Sequence, residues 1–550
     1  MADELKNILL VSIARLGDIL QASPIIAGLK AENPQARITV VIDRSISSVC
    51  RGIPGIDDAY ELDLSYLCRH LNREQEGIVD AFSYVTKVVD ELRARHFDCC
   101  INLSNSPYTA LLVKLLGIER TSGWRADDEG CRVLDTWSML FAASVYHSNR
   151  NFNAINLVDI FRCSAGVNKH PRSLQFQFSE KAARFAERFL VEHGIEAGGP
   201  LICIQAGASQ KKRQWEPERF AILSRMLVNE LGARIVYTGL SDEREVIQQI
   251  ERDFTHSRAV SAAGATDLDQ LAALLARAEL LITGDTGTMH LSVAVGTPVI
   301  ALFLASAFCF ETGPYSAGNL VIQPQISCRP CNPNLPCAGT ECHAQITPEL
   351  VKFLSGLRLQ IKKGSEHMMR EQMERIPGHL ADPREVVVYR SDFDSDGFLY
   401  FAPISADSSS ASRDLRNHAA RNAYRRLWKE ELLQVLPEDQ DVQVAHASGF
   451  ETIAGLCEKA MATLHELEAS IRDKRTRGVR LGEIERQLRS IFQSIEQFSY
   501  ADEMVSLLVR MFVLEKEHVQ GSDAISLARA EEEVYARLGR RSRRLSALLS

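Results

Sequence analysis

The 550-residue sequence predicts two consecutive α/β domains facing a cleft, followed by a mainly helical extension. Three observations carry this. Apolar runs of strand length alternate with amphipathic segments of helix length between residues 6 and 359, as expected for parallel strands buried on both faces and joined by crossover helices. The alternation is interrupted at 166–171, a polar stretch ending in Pro171, which leaves two halves of similar size. From residue 417 the sequence is poor in Gly and Pro and rich in Ala, Leu, Glu and Arg at helical spacing, the pattern of a helical bundle or hairpin.

Length and composition agree with that division. At roughly 100–200 residues per domain the chain holds about three domains. It is 45% hydrophobic and 24% charged, with 63 Lys and Arg against 71 Asp and Glu. This excludes a wholly disordered or fibrous chain, and the net charge of −8 gives no global reason to expect a nucleic-acid partner. No segment reaches the ~20 apolar residues of a membrane-spanning helix. The acidic start, with Arg15 soon after the short run 8–13, does not read as a signal peptide. The expected compartment is the cytoplasm, where the 13 cysteines would be mostly reduced.

In the first half (1–165), KNILLVSI (6–13) reads as a buried strand, ARLGD as a loop, and the residues up to about Glu32 as a helix stopped by Pro34. Strands at 36–43 and 97–104 and a helix at 109–117 continue the series. In the second half (170–360), strands are predicted at 201–206, 233–239, 279–284 and 298–303. Helices are predicted at 217–232, 242–254, 268–278, 288–296 and 347–359. Residues 361–416 contain a hairpin over 384–404 with Ser-Asp-Gly at its turn, then a polar linker over 404–414. Ligands of such sheets gather beyond the carboxyl ends of the strands, so the loops that follow strands are the ones to read for chemistry.

Three strand–loop–helix segments stand out there. In ARLGD, Asp18 suits a helix N-cap and equally a catalytic carboxylate. In GASQKKRQWEPERF (207–220), Lys211, Lys212 and Arg213 precede a helix opened by Pro217; the residues alone read as an anion site or as ordinary solvated charge. In ITGDTGTMHL, the turn Asp285-Thr286-Gly287 leads a helix carrying His290. Backbone N–H groups of such a turn can hold phosphate oxygens, whereas His290 taken singly reads as a packed histidine.

Together these segments resemble the ADP-heptose:lipopolysaccharide heptosyltransferases of glycosyltransferase family 9. The resemblance runs over about residues 5–358 and is carried by ILLVSIARLGDILQASPIIAGLK, QAGASQKKRQWEPERFAILSRML and LAALLARAELLITGDTGTMHLSVAVGTPVIALF, with GPYSAGN and ITPELV following in order. It implies a GT-B fold: two Rossmann-like domains, the first holding the acceptor and the second the nucleotide-sugar. It implies an inverting transfer from ADP-heptose to a lipopolysaccharide-core-like glycolipid, no metal needed for catalysis, and Asp18 as general base. Lys212 or Arg213 would bind the diphosphate, with Glu216 standing where the family often has proline. Asp285, Thr286, Gly287 and His290 match the sugar- and diphosphate-binding turn, and Glu243 lies near the place of a ribose-binding acid.

The alternatives are a transferase for another sugar or a protein acceptor, or an idle GT-B scaffold binding a partner through 417–550. Three further features read as follows. Cys328, Cys331, Cys337 and Cys342, followed by His343, have the density of a structural zinc site; a disulfide or free thiols are the other readings. Asp392, Asp394 and Asp396 resemble the start of a calcium loop but lack its terminal Glu, and read as a β-turn. Five arginines between 537 and 544 suit either a solvated helix end or peripheral contact with anionic lipid at the inner face of the inner membrane.

Overall fold

The computed structural model describes residues 5–72, 75–169, 173–329, 331–332, 335, 337, 339, 341–360, 376–382, 384–404, 413–435, 448–472 and 478–550. They form two compact units, Met1–Trp137 with Asn156–Ser410 and Ser138–Ile155 with Ala411–Ser550.

The first unit contains two twisted sheets of the doubly wound type. One holds β1 (Asn7–Val11), β2 (Arg37–Asp43), β3 (Asp58–Leu62), β4 (Cys99–Asn102), β5 (Arg120–Ala126) and β6 (Arg132–Leu134) in the order β3-β2-β1-β4-β5-β6. All neighbours are parallel except β5 and β6. The second holds β7 (Leu201–Gln205), β8 (Arg234–Thr238), β9 (Ala259–Ser261), β10 (Leu280–Thr283), β11 (Val299–Leu302), β12 (Leu320–Pro324), β13 (Val386–Phe393) and β14 (Leu399–Pro403). Its order, β14-β13-β12-β11-β10-β7-β8-β9, repeats the winding of the first sheet and adds the 386–403 hairpin antiparallel to β12. Ile8–Val11 and Leu201–Ile204 are almost completely buried, because crossover helices cover both faces of each central strand.

One local reading changes. The helix expected up to Glu32 is two helices, Leu16–Gln21 and Ser23–Glu32. Pro24 offers no N–H to continue the first, while the Ala22 N–H closes it on the Asp18 and Ile19 carbonyls and Ser23 Oγ bonds the Leu20 carbonyl. The aspartate-rich segment is a hairpin turn, as expected. The Asp394 carboxylate accepts the Asp396 and Phe398 N–H groups at 3.1 and 2.9 Å, and Gly397 takes φ +73°. Most of the 404–414 linker, 405–412, lies outside the described residues.

The second unit is helical, with helices Arg413–Leu433, Ser448–Arg472, Gly478–Ala501, Glu503–Glu517 and Ala524–Leu549. Tyr424, Trp428, Phe450, Phe512 and Tyr535 form its aromatic core. Residues 138–155, a segment distant in sequence, complete it. Phe152 packs near Tyr424, and the carbonyls of Asn151 and Ala154 accept from Arg421 and Arg425 at 2.9 and 3.3 Å.

The arginine run near the end of the chain is engaged inside this unit. Arg541 is 2% exposed, bonds Glu431 and Glu515 at 2.6–3.0 Å and lies over the Trp428 ring. Arg540, Arg543 and Arg544 pair with Glu533, Glu458 and Glu430, and Arg537 pairs with Glu515. Among the described residues, no helix is long and apolar enough to cross a membrane.

Candidate active site

In both sheets the winding reverses beside the central strand, between β1 and β4 and between β7 and β10. Loops diverge at such a point and leave a crevice at the carboxyl edge. The three sequence segments that stood out are the loops after β1, β7 and β10.

Two glycines bring the halves of the unit together there. A Cβ on Gly17 would lie 2.9 Å from His290 Cδ2, and one on Gly287 would lie 3.1 Å from Leu16 Cδ2. The first turn of the Leu16–Gln21 helix therefore rests directly on the first turn of the Gly287–Ala294 helix. This places Asp18 beside the Asp285-Thr286-Gly287 turn.

Asp18 sits in the third position of its helix, and the N-cap is Arg15. The Arg15 backbone N–H and charge both favour its ionised form, and it stands in the first turn of the helix without being the cap. Burial is the largest influence on its acidity. The Arg15 charge lowers the value and the Asp285 charge raises it, and the carboxyl ends at about 6. A carboxylate so poised is half-way to a base that operates at neutral pH.

Arg213 and Lys212 diverge, although they are adjacent in a 3-10 turn, Lys211–Arg213. Arg213 Nη1 bonds Asp285 Oδ2 at 3.0 Å, while Nε and Nη2 both bond Ser306 Oγ at 3.1 and 2.8 Å. The Lys212 ammonium instead donates to the carbonyls of Asn332 and Leu335 at 3.3 and 3.1 Å. The loop is further held by His343, whose Nε2 lies 3.0 Å from the Lys212 carbonyl and whose own carbonyl accepts from the buried Trp215 indole. Glu216 pairs with Arg219 at 3.0 Å.

Thr286 is the N-cap of its helix without a side-chain cap bond; its hydroxyl meets that of Thr283 at 3.0 Å. His290 is 4% exposed, and burial depresses its imidazole to about 4. Its Nδ1 is buried with no hydrogen-bond partner among the described residues. His290 is thus neutral and packed, as the single-residue reading had it, but it packs at the contact between the two first turns. Glu243 lies in the 3-10 turn Ser241–Glu243 that follows β8 and accepts from the Leu240 N–H at 2.7 Å and from Gln205 Nε2 at 3.0 Å. A Cβ on Gly207 would fall 1.9 Å from Glu243 Oε1, so the glycine is what lets the carboxylate reach the loop after β7.

Gln205 and Ser306 were not legible as site residues. Gln205 is the most connected: besides Glu243 it receives the hydroxyls of Thr238 and Thr288 at 3.1 and 3.4 Å. It joins the ends of β7 and β8 to the helix after β10. The signal in sequence was only a polar residue closing an otherwise apolar strand.

None of the four clustered cysteines is joined in a disulfide. Cys337 Sγ donates to the Gly339 carbonyl. The Cys331 thiol is pushed up to about 11, first by burial and then by the neighbouring Cys328. Among the described residues no three His, Cys, Asp or Glu side chains are grouped to hold a metal ion.

Residues 85–337 match the glycosyltransferase family 9 (heptosyltransferase) model. The chain is 25% identical over 296 residues to lipopolysaccharide heptosyltransferase 3 of Escherichia coli, covering 54% of this chain and 82% of that protein. It is 24% identical over 333 residues to lipopolysaccharide heptosyltransferase 2 of Salmonella typhimurium, covering 58% and 88%. Among solved structures, the glycosyl transferase family 9 protein of Veillonella parvula superposes with a TM-score of 0.51 at 23% identity, covering 64% of this chain and 97% of that one; this supports the two-sheet GT-B fold. The reading as an idle scaffold loses ground to that of an enzyme. Residues 85–337 carry a glycosyltransferase family 9 (heptosyltransferase) domain, and the chain is a glycosyltransferase with a C-terminal extension beyond that domain.

Proposed function

We propose that the chain moves a heptose from ADP-heptose to a hydroxyl of a lipopolysaccharide-core-like glycolipid, inverting the anomeric carbon, with Asp18 as general base. The observation that carries this reading is the placement of Asp18: a carboxyl with its acidity tuned to about 6, at the mouth of β1, beside the turn that follows β10.

The acceptor oxygen forms its bond to the anomeric carbon on the face opposite the diphosphate. Its proton passes to an Asp18 carboxylate oxygen. The bond from that carbon to the β-phosphate oxygen breaks, and its electron pair leaves with ADP. The charge that develops there is met by Arg213 and by the N-terminus of the Gly287–Ala294 helix, whose first N–H groups have no partner within the helix. Of the two cations left open by the sequence, Arg213 is the one joined to the Asp285 turn, so it is assigned to the diphosphate. Lys212 is assigned to holding the loop. Glu243, fixed by Gln205 and the Leu240 N–H, is assigned to the ribose hydroxyls. In this reading no metal enters the chemical step.

The test is Asp18→Asn with ADP-heptose and an intact core glycolipid, read by mass of the acceptor. Loss of transfer by about two to four orders of magnitude is expected for a missing general base, with ADP affinity kept. Turnover near wild type in that variant would remove Asp18 from the role. A panel of ADP-sugars and of protein acceptors in the same assay separates heptose transfer to glycolipid from the other acceptor and donor readings.

A further inference from the structure

Arg213 can meet a diphosphate only if its guanidinium is presented in one orientation, and the strongest local competitor for it is Asp285. Left to themselves, an arginine and a carboxylate tend to close into a two-bond fork. Here they do not: Arg213 reaches Asp285 through Nη1 alone, and its Nε–Nη2 edge is occupied by Ser306 Oγ.

We infer that Ser306 is a positioning residue for the donor site, holding Arg213 so that its outer edge faces the nucleotide diphosphate; this rests on the donor reading above. Three of the five guanidinium N–H groups are used by Ser306 and Asp285. The two that remain are one on each Nη, both available to phosphate oxygens.

The loop bearing Ser306 is built to hold that oxygen still. Ser306 is completely buried. Ala305, just before it, adopts φ +51°, a left-handed conformation that costs a non-glycine residue energy and persists only where the surroundings enforce it. The enforcement comes from Arg329, itself 7% exposed, whose Nη1 and Nη2 bond the Phe303 and Ala307 carbonyls at 2.6 Å each, one on either side of Ser306. Arg329 also lies over the Phe308 ring. Arg329 stands between Cys328 and Cys331, so the cysteine-rich segment reaches the donor site through this brace.

The experiment is a double-mutant cycle read by calorimetric titration of the full chain with ADP. The variants are Ser306→Ala, Arg213→Ala and the pair together, with Ser306→Cys as a second variant that keeps the volume and offers a poor acceptor. ADP binding weaker by about tenfold is expected for Ser306→Ala and Ser306→Cys, from loss of bonds to a charged group. In the Arg213→Ala background the Ser306 change is expected to do nothing, because the residue acts through that arginine. A Ser306→Ala protein with wild-type ADP affinity, or one whose full loss persists without Arg213, overturns the assignment. Failure of the wild-type protein to bind ADP overturns the donor reading itself, and this inference with it.

Discussion

Asp18 and His290 stand on the two first turns that touch at Gly17 and Gly287 and are perturbed in opposite senses. The Asp18 carboxyl rises from 3.8 to about 6 and the His290 imidazole falls from 6.5 to about 4, in both cases because burial disfavours the charged form. For Asp18 the folded chain binds its proton more tightly than the unfolded chain. Its contribution to stability is full below 3.8 and is lost as pH rises through about 6. For His290 the unfolded chain binds the proton more tightly, so stability falls as pH drops from 6.5 towards 4. Between about 4 and 6 the two slopes oppose each other. Two outcomes follow. The kcat/KM of transfer should rise with pH along an acid limb near 6, as the base loses its proton; a rate flat between pH 5 and 7 would contradict this. Asp18→Asn should be more stable than the parent at pH 7, by about 1–3 kcal/mol in urea titration, because it no longer ionises in a desolvated place. The gain should shrink by pH 4. A gain over the parent no larger at pH 7 than at pH 4 would show that the carboxylate carries no such cost.

At the scale of elements, the site depends on how closely two helix starts approach. Gly17→Ala puts a methyl 2.9 Å from the His290 ring, which is buried and cannot swing aside. Overpacking of this kind costs about 1–3 kcal/mol, and here relief requires the Asp18 turn to move away from the donor turn. The expected result is a lowered melting temperature together with a large fall in kcat; an alanine variant with wild-type turnover would mean that the close approach is not needed for chemistry. This contact also marks what the sequence could and could not convey. Each strand–loop–helix segment was legible by itself, because apolar runs and Gly or Pro punctuation are local signals, and so were Asp18, Arg213 and the Asp285 turn. The division of labour between Lys212 and Arg213 was not, since it is set by Ser306, Asn332 and Leu335, which lie 93, 120 and 123 positions away. Gln205 and Ser306 were invisible for the same reason: uncharged, embedded in apolar runs, and important only through partners distant in the chain. Short strands such as β9 (three residues) and β12, whose apolar core is brief, were likewise missed, having too few positions for a period to show.

At the scale of the whole chain, the extension is not an appendage tied on at one point. The helical unit takes Ser138–Ile155 from within the family domain, and the chain passes between the two units three times, at 137–138, 155–156 and 410–411. Leu140, Ala143, Phe152 and Ile155 are at most 2% exposed. Two carbonyls of this segment depend on Arg421 and Arg425, and the Phe152 ring on the company of Tyr424. Removal of 411–550 therefore leaves unburied apolar side chains in the middle of the catalytic polypeptide, not at its end. Exposing several such residues costs about 1.5–3 kcal/mol for each large one, a substantial part of the 5–15 kcal/mol that holds an ordinary domain folded. A chain ending at residue 410 should accumulate poorly in soluble form and melt well below the full-length protein. Supplying 411–550 as a separate polypeptide should recover solubility and ADP binding together, since the partners of 138–155 are then present. A 1–410 chain that purifies as a monomer with the full-length melting temperature would show that 138–155 finds burial without the helical unit, and would make the extension dispensable to folding.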